Sequence, residues 1–380
     1  MVYKIRNQMK PYLEVFFMAY FLPLAGCVAT GISSSHIVYK ASFLLGLLFL
    51  VIKVWLTDYK KYEMISILFF MILLGYVYYR TREKSLVLTT ITIFGCKDID
   101  VRRVLKCTLL IYIAGVTIRM GLSGLKILPG EYFNAPKSGS KQFFYDFGFS
   151  HPNSAYNHIL MISLMIIAVF KDKLLWYHYG LMTAVMYGFY KLFFSRTGLL
   201  TYLLLCFLLL VLFISQKYKK SKKVGLLYLT IPLCMTLFSY LFLLLYPMHI
   251  TYLDRLNQYL TGRIELSYRA VCISGINCFG SADKAWVNSF YVDNAYINLL
   301  INFGSLIVII CIFVYLVSAI YYWKKEEYYV LALLATISIY AFMEYSPANI
   351  TWNPLLIYIG DGYFKSVNII YRKLFPKNIT

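Results

Sequence analysis

The chain has 380 residues, of which 60% are hydrophobic and 18% aromatic, while only 14% carry a charge. A soluble domain of this size carries roughly 25% charged residues, so the composition excludes an ordinary water-soluble protein. The formal net charge of +20 would suit nucleic-acid binding. Lysine and arginine concentrated on the cytoplasmic loops of a membrane protein explain this charge better, and we expect no nucleic-acid partner.

Apolar runs of membrane-spanning length recur along the chain, and the alternating segments of about ten residues that mark a β-barrel are absent. We therefore predict an all-α polytopic membrane protein with about 12 transmembrane helices (roughly 11–13), forming one integral membrane domain over residues 1–380. The first span lacks a cleavage pattern, so we interpret it as a retained helix. The predicted spans lie near 12–31, 41–57, 63–79, 85–96, 104–121, 152–170, 175–194, 197–215, 225–246, 295–322, 327–345 and 353–369.

The distribution of basic residues predicts the orientation of these spans. With the N-terminus in the cytoplasm, the inner side holds Lys4 and Arg6, the lysine-rich turn 217–223 and a C-terminal tail that includes Lys377. Two long loops, 122–151 and 247–294, then lie outside. The segment 80–103 fits poorly, because its span is too short for a full crossing. It is either a tilted helix beside thinned lipid or a re-entrant or interfacial element.

The two long loops contain aromatic residues and cysteines, but the chain lacks the motifs that identify a metal or cofactor site. The aromatic residues of 122–151 suit either a belt at the membrane interface or a surface that stacks on sugar rings. Cys272 and Cys278 share the second loop and could form a disulfide. The chain has no CxxC pair, no zinc-like Cys/His spacing and no Gly-rich phosphate loop. We therefore expect neither a metal nor a cofactor.

Two short motifs at span ends carry candidate site residues. Pro152 suits the first position of a helix, so His151 lies at the helix cap and Asn153 follows Pro152. His151 is either a general base or sugar ligand, or an exposed residue without a function. Arg196, at a tight turn between two apolar stretches, suits bidentate capture of phosphate, with Lys191 nearby. The alternative for Arg196 is a side chain that extends to the membrane surface beside a short loop.

The loop 251–280 is the longest polar interruption in the chain. Leucines at helical spacing predict a helix that ends before Thr261-Gly262, and a second helix fits Arg263–Ser274. Glu265 and Arg269 are spaced to form an i,i+4 pair, which is a sufficient structural explanation for Arg269. Arg255 and Arg263 have no acidic residue at this spacing. A helix N-terminus with an arginine beside it can bind phosphate, so Arg263 is the favoured phosphate-binding candidate.

Three polar positions later in the chain are also candidates. Asp293 precedes a long apolar segment and is either the N-cap of that helix or a functional carboxylate, with Asn294 beside it. Glu344 lies at the end of an apolar span, where a carboxylate is costly and usually functional. Asn353 flanks the last span, and Asp361 inside that span has no assigned role.

Taken in order, these motifs resemble the Wzy-type polysaccharide polymerases of capsule and exopolysaccharide clusters in Gram-positive bacteria. Each motif is weak alone, but their order and spacing cover most of the chain. The motifs are His151-Pro152-Asn153, Ser195-Arg196-Thr197, Leu260-x-Gly262-Arg263-Ile264, Phe279-Gly280, Val292-Asp293-Asn294-x-Tyr296, Asn302-Phe303-Gly304 and Asn353-Pro354.

The resemblance implies a metal-independent glycosyltransferase of GT-C-like architecture at the outer face of the bacterial plasma membrane, with both termini cytoplasmic. Such an enzyme moves the growing glycan from undecaprenyl pyrophosphate to a sugar hydroxyl of the incoming lipid-linked repeat unit. Its expected partners are this lipid-linked oligosaccharide, membrane lipid, a flippase and a chain-length regulator. The related O-antigen ligases use a late histidine, whereas no histidine follows His249 in this chain.

The chemistry assigns the candidates to roles. Guanidinium groups stabilise the departing pyrophosphate, for which we predict Arg196, Arg255 and Arg263, with Arg269 as a weaker fourth. A base must accept the proton of the attacking hydroxyl. The predicted catalytic residues are His151, Asp293 and Glu344, and the predicted substrate-binding residues are Asn153, Asn294 and Asn353.

Two other functions fit the same composition. A polysaccharide ligase would attach finished glycan to an acceptor. A flippase or exporter of lipid-linked oligosaccharide would carry polar groups through the middle of the membrane, whereas the polar residues here cluster at predicted outer span ends.

Overall fold

The structure is a computed structural model that describes residues 8–134, 143–283 and 285–374. The basic residues Lys4, Arg6 and Lys377, and the part of the first long loop at 135–142, lie outside the described residues. The described helices are α1 (Leu13–Ala29), α2 (Ile37–Leu56), α3 (Lys61–Thr81), α4 (Ser85–Gly95), α5 (Val101–Gly124), α6 (Pro152–Phe170), α7 (Trp176–Phe193), α8 (Arg196–Lys217), α9 (Ser221–Leu245), α10 (Thr251–Tyr259), α11 (Arg263–Ser274), α12 (Ala295–Phe303), α13 (Ser305–Lys324), α14 (Tyr328–Met343) and α15 (Ile357–Leu374). A short antiparallel hairpin of β1 (Tyr132–Asn134) and β2 (Phe143–Tyr145) lies between α5 and α6.

The chain is a helical multi-pass membrane protein. Within the described residues, eight helical segments are long and apolar enough to cross a membrane: Lys10–Ala29, Ile37–Leu56, Lys61–Thr81, Val101–Gly124, Pro152–Lys173, Arg196–Lys217, Ser221–Met248 and Ser305–Lys324. The other predicted spans are also helical, but α4 and α14 are short, and α7 and α15 are not among the eight. The predicted span 85–96 is an 11-residue helix, Ser85–Gly95, which is shorter than a full membrane crossing.

The described chain divides into two compact units. The first comprises Met1–Asp58 and Gly95–Leu210, and the second comprises Tyr59–Phe94 and Val211–Thr380. In the first unit α1 packs on α2 and α5, and α5 packs on α6. Helix α6 is the most enclosed of the eight segments, with 72% of its apolar window buried. In the second unit α9 packs on α14, and α13 packs on α15.

The predicted continuous span 295–322 is wrong, because the helix is interrupted at Gly304. Gly304 has φ of 91°, a left-handed conformation that favours glycine, and separates α12 from α13. The loop 277–281 lies against this break. The backbone nitrogen of Ser305 donates to the oxygen of Asn277 at 2.9 Å, and that of Ser281 donates to the oxygen of Ile301 at 2.8 Å. Two motifs that are distant in sequence, Phe279-Gly280 and Asn302-Phe303-Gly304, therefore form one backbone junction.

Both positions of this junction require glycine, because another backbone segment lies too close to leave room for a Cβ atom. A Cβ at Gly304 would lie 2.3 Å from the oxygen of Cys278, and one at Gly280 would lie 2.4 Å from the oxygen of Asn302. Both contacts are with backbone atoms, which side-chain rotation cannot relieve. We expect Gly304→Ala and Gly280→Ala each to lower the free energy of unfolding by about 3 kcal/mol. Thermal unfolding of the purified protein in detergent measures this loss.

The matched control is Gly75→Ala in α3, where an added Cβ meets nothing within 4 Å. Alanine favours helix over glycine, so this variant should be neutral or slightly more stable. Wild-type stability of both junction variants would contradict the packing argument.

Candidate functional site

Three charged side chains from three separate segments of the second unit meet at the start of α11. The Nε of Arg263 donates to Oδ2 of Asp293 at 2.8 Å, and its Nη2 donates to Oε1 of Glu344 at 2.9 Å. The partners lie 30 and 81 residues further along the chain, so only the folded protein brings them together. We call Arg263, Asp293 and Glu344 the carboxylate–arginine cluster.

Helix ends position all three groups. Gly262, with φ of 83°, turns the chain from α10 into α11 and makes Arg263 the first residue of that helix. Asp293 immediately precedes Asn294, the N-cap of α12. Glu344 is the C-cap residue of α14, where the chain becomes extended. Backbone geometry at three chain turns therefore aims these side chains at one point.

Asn257 of α10 holds the first turn of α11 in place. Its side chain is buried, and Oδ1 accepts from the backbone nitrogens of Ile264 at 3.1 Å and Glu265 at 3.2 Å. These amides belong to the turn whose N–H groups have no partner within the helix. Asn257 thus acts as a remote cap that fixes the position of Arg263.

The cluster is partly enclosed and carries one net negative charge. The side chains of Arg263 and Glu344 are 13% and 15% exposed, whereas that of Asp293 is 35% exposed. Burial opposes the charge on the guanidinium, but the attraction of Glu344 and Asp293 outweighs it, so the pKa of Arg263 lies above its ordinary value. Two carboxylates against one guanidinium favour a hydroxyl or a cation over an anion.

The structure revises two interpretations at this site. Arg263 has acidic partners that lie far outside its own helix in the sequence, and a pyrophosphate would have to displace one of them. Asp293 as N-cap is wrong: the neighbouring Asn294 accepts from the backbone nitrogens of Tyr296 at 2.9 Å and Ile297 at 3.2 Å. Asp293 is thereby left to pair with Arg263.

Two of the asparagines predicted to bind substrate, Asn294 and Asn353, have hydrogen-bond partners within the protein. Asn294 is buried, and its amide nitrogen donates to the hydroxyl of Ser239 at 3.0 Å. Asn353 is fully buried, and its Nδ2 donates to the oxygen of Pro347 at 2.9 Å. Both side chains support the turns on either side of the cluster.

The other arginines of the long loop lie at the surface. Arg269 pairs with Glu265 at 2.5 Å in the predicted i,i+4 arrangement, which confirms its structural explanation. Arg255 is exposed on α10. The two cysteines, Cys272 and Cys278, are free thiols, so the suggested disulfide is absent from the structure.

The remaining candidates belong to the first unit. His151 is the N-cap of α6, where Nδ1 accepts from the backbone nitrogen of Asn153 at 3.0 Å and Pro152 occupies the first turn, as expected. Arg196 is exposed at the first position of α8, and its guanidinium lies 4.9 Å from the ring centre of Phe194.

The β1–β2 hairpin connects His151 with Arg196. Phe133 and Phe144 are cross-strand partners. The ring of Phe133 lies 5.0 Å from that of His151, and the ring of Phe144 stacks on Phe194 at 5.0 Å. Two aromatic residues of the first long loop therefore pack against His151 and against Phe194, the ring that Arg196 contacts.

Arg119, in the same unit, is a further partly buried arginine that the motifs of the sequence did not indicate. This arginine donates to the backbone oxygen of Gly148 and lies 5.9 Å from the ring centre of Phe149, close to the start of α6. The signal was present, since Arg119 is the one charged residue in the apolar run 107–124, and such residues are rarely accidental.

An apolar cavity of about 210 Å³ lies in the second unit. Its lining includes Ala295 and Tyr296 of α12 and Ala341 of α14, close in sequence to Asp293 and Glu344. A long hydrocarbon chain suits such a lining. In the described part of the chain, no group of three or more His, Cys, Asp and Glu residues could hold a metal ion.

Comparison with known proteins gives no relative: no family model, no curated protein and no solved structure matches this chain.

The contact of Asn257 with α11 yields a test of how the site is held. We expect Asn257→Ala to lower the free energy of unfolding by about 1 kcal/mol, because two amide groups lose their acceptor. Asn257→Asp retains an oxygen acceptor at this position and should keep most of the stability. Thermal unfolding compares the two variants, and equal losses in both would contradict the capping role.

Proposed function

We propose that this protein polymerises lipid-linked oligosaccharide repeat units, transferring a growing glycan from undecaprenyl pyrophosphate to a sugar hydroxyl of the incoming unit in capsule or exopolysaccharide synthesis. The observation that carries the proposal is the carboxylate–arginine cluster at helix ends of a multi-pass membrane protein. A partly exposed carboxylate held by a fixed guanidinium is suited to accept a proton from a hydroxyl. The resemblance of the ordered motifs supports the same reaction.

In this proposal Asp293 is the base and Arg263 and Glu344 position it. Asp293 is the most exposed of the three side chains, and Arg263 holds one of its oxygens. The acceptor hydroxyl gives its proton to the Asp293 carboxylate while its oxygen attacks the anomeric carbon of the donor sugar. The bond between that carbon and the pyrophosphate oxygen breaks, and the lipid pyrophosphate leaves with the bonding electrons.

The leaving pyrophosphate needs positive charge, and Arg255 of the same unit can provide it. Its side chain is open to solvent, whereas the guanidinium of Arg263 is already shared by two carboxylates. Fixed guanidinium groups stabilise developing negative charge without a metal ion. The cavity beside α12 and α14 offers an apolar surface for the lipid chain.

The finer architecture belongs to the same proposal. About 12 membrane segments in a GT-C-like arrangement, both termini in the cytoplasm and a site at the outer face of the plasma membrane would place the reaction where exported repeat units arrive.

Deletion of the gene in the producing bacterium tests the reaction class. We expect single repeat units on the surface and no long polymer, because export continues without polymerisation. Electrophoresis of extracted surface glycans measures the chain length. Persisting long chains would exclude a polymerase, repeat units retained inside the cell would indicate a flippase, and long unattached polymer would indicate a ligase.

Variants of the cluster test the mechanism in polymerisation assays with purified protein and purified lipid-linked repeat unit. We expect Asp293→Asn to lower the rate at least about 100-fold, because the amide cannot accept the proton. Arg263→Lys should also lose most activity, since an ammonium group cannot bridge both carboxylates as the guanidinium fork does.

The chain offers a matched pair of controls on the same helix. Glu265→Gln and Arg269→Lys change the surface ion pair of α11 and should leave the rate close to wild type, since exposed pairs contribute little. Thermal unfolding checks that each variant is folded. A wild-type rate for folded Asp293→Asn would exclude Asp293 as the base and direct attention to His151.

A further inference from the structure

Helix α10 has an exposed face of which the proposed reaction uses only Arg255. Its exposed side chains are those of Thr251, Tyr252, Arg255, Gln258 and Tyr259, which we call the α10 face. The two tyrosines are unusually open, with 81% and 85% of their surface exposed. The helix is anchored from the other side, where Leu253 and Asn257 are buried.

The composition of the α10 face indicates a hydrated partner. It contains no aliphatic side chain and no carboxylate. A helix that lies in the lipid interface directs residues such as leucine, phenylalanine and tryptophan towards the acyl chains. The start of α7 has that composition, with Leu175 and Trp176 exposed. On α10 the aliphatic side packs on protein, and the exposed side is polar and aromatic.

The spacing of these residues suits an extended ligand. Tyr252, Arg255 and Tyr259 follow each other at i, i+3 and i+7, so they form one stripe along the helix. The stripe is about 10 Å long, at 1.5 Å per residue, which exceeds the width of one sugar ring. Tyrosine offers a flat ring on which a sugar can stack. Arg255 and Gln258 offer several donors to hydroxyl or carboxylate oxygens.

The α10 face is held at a fixed position relative to the carboxylate–arginine cluster. The hydrogen bonds from Ile264 and Glu265 to Asn257 join the two loop helices. The face ends at Tyr259, and Arg263 begins the next helix. One end of the α10 face is therefore four residues from Arg263 in the chain.

We propose that the α10 face binds the glycan chain that the cluster extends, as a hydrated oligosaccharide of more than one sugar ring. This inference rests on the proposed function and names the partner of that site. Binding along the helix retains the product between successive additions, so the α10 face determines the length of the polymer rather than the rate of one transfer.

Binding of released glycan tests the proposal. The probe is a fluorescently labelled oligosaccharide of several repeat units, released from the surface polysaccharide of the producing cell, and full-length purified protein is titrated against it by fluorescence anisotropy. Tyr252→Leu with Tyr259→Leu removes both flat rings but keeps apolar bulk, and we expect about tenfold weaker binding. Tyr252→Phe with Tyr259→Phe keeps the rings and should bind nearly as wild type.

The control is Tyr218→Leu, a tyrosine that is 64% exposed near the opposite end of α9 from α10. It should change neither binding nor chain length. In polymerisation assays the double leucine variant should make shorter chains while the joining of the first two repeat units keeps its rate.

The outcomes separate this inference from the proposed function. Unchanged binding and unchanged chain length in the double leucine variant overturn the inference and assign the α10 face to contact with lipid or solvent. A wild-type protein that binds the labelled glycan but never joins repeat units overturns the proposed polymerase activity. In that case the loss of binding in the leucine variant still decides whether the α10 face is a glycan site.

Discussion

One ion-pair arrangement organises the polar part of the second unit. Arg263 joins the first turn of α11 to the residue before α12 and to the end of α14 through Asp293 and Glu344. Removal of one partner from a partly buried charge group leaves an uncompensated charge, which is costly. The loop helices, the Asn294 cap and the turn after α14 are therefore interdependent. In the proposed reaction, this arrangement gives the Asp293 carboxylate a fixed direction and a fixed neighbour.

Sequence signals predicted those elements whose cause is local. The end of α10 and the start of α11 follow from leucine spacing and from Thr261-Gly262, and the Glu265–Arg269 pair follows from helical geometry. Pro152 likewise placed the start of α6. The residue types needed for the cluster were also recognised individually. What remained hidden was that Arg263, Asp293 and Glu344 contact each other, since no pattern within one helix connects positions 30 and 81 residues apart.

The break at Gly304 was missed for the same physical reason. The run 295–322 is mostly apolar and contains no charged residue, and a single glycine inside such a run normally costs about 1 kcal/mol without ending a helix. The helix ends because the loop 277–281 supplies hydrogen bonds that replace those of a continuous helix. The number of predicted spans also exceeds the eight described segments that are long and apolar enough to cross a membrane. Helices α7 and α15 are not among the eight, because they contain tyrosine, glycine and charged residues.

The sequence separation within the cluster also has a consequence for biosynthesis. Residues 263, 293 and 344 are synthesised in that order, so Arg263 leaves the ribosome before Glu344 has been made. The chain therefore carries this arginine without one of its two partners until Glu344 has been synthesised. Complete charge pairing is therefore one of the last events of assembly, and a nascent or truncated chain that stops before Glu344 contains the α11 helix but not the finished site.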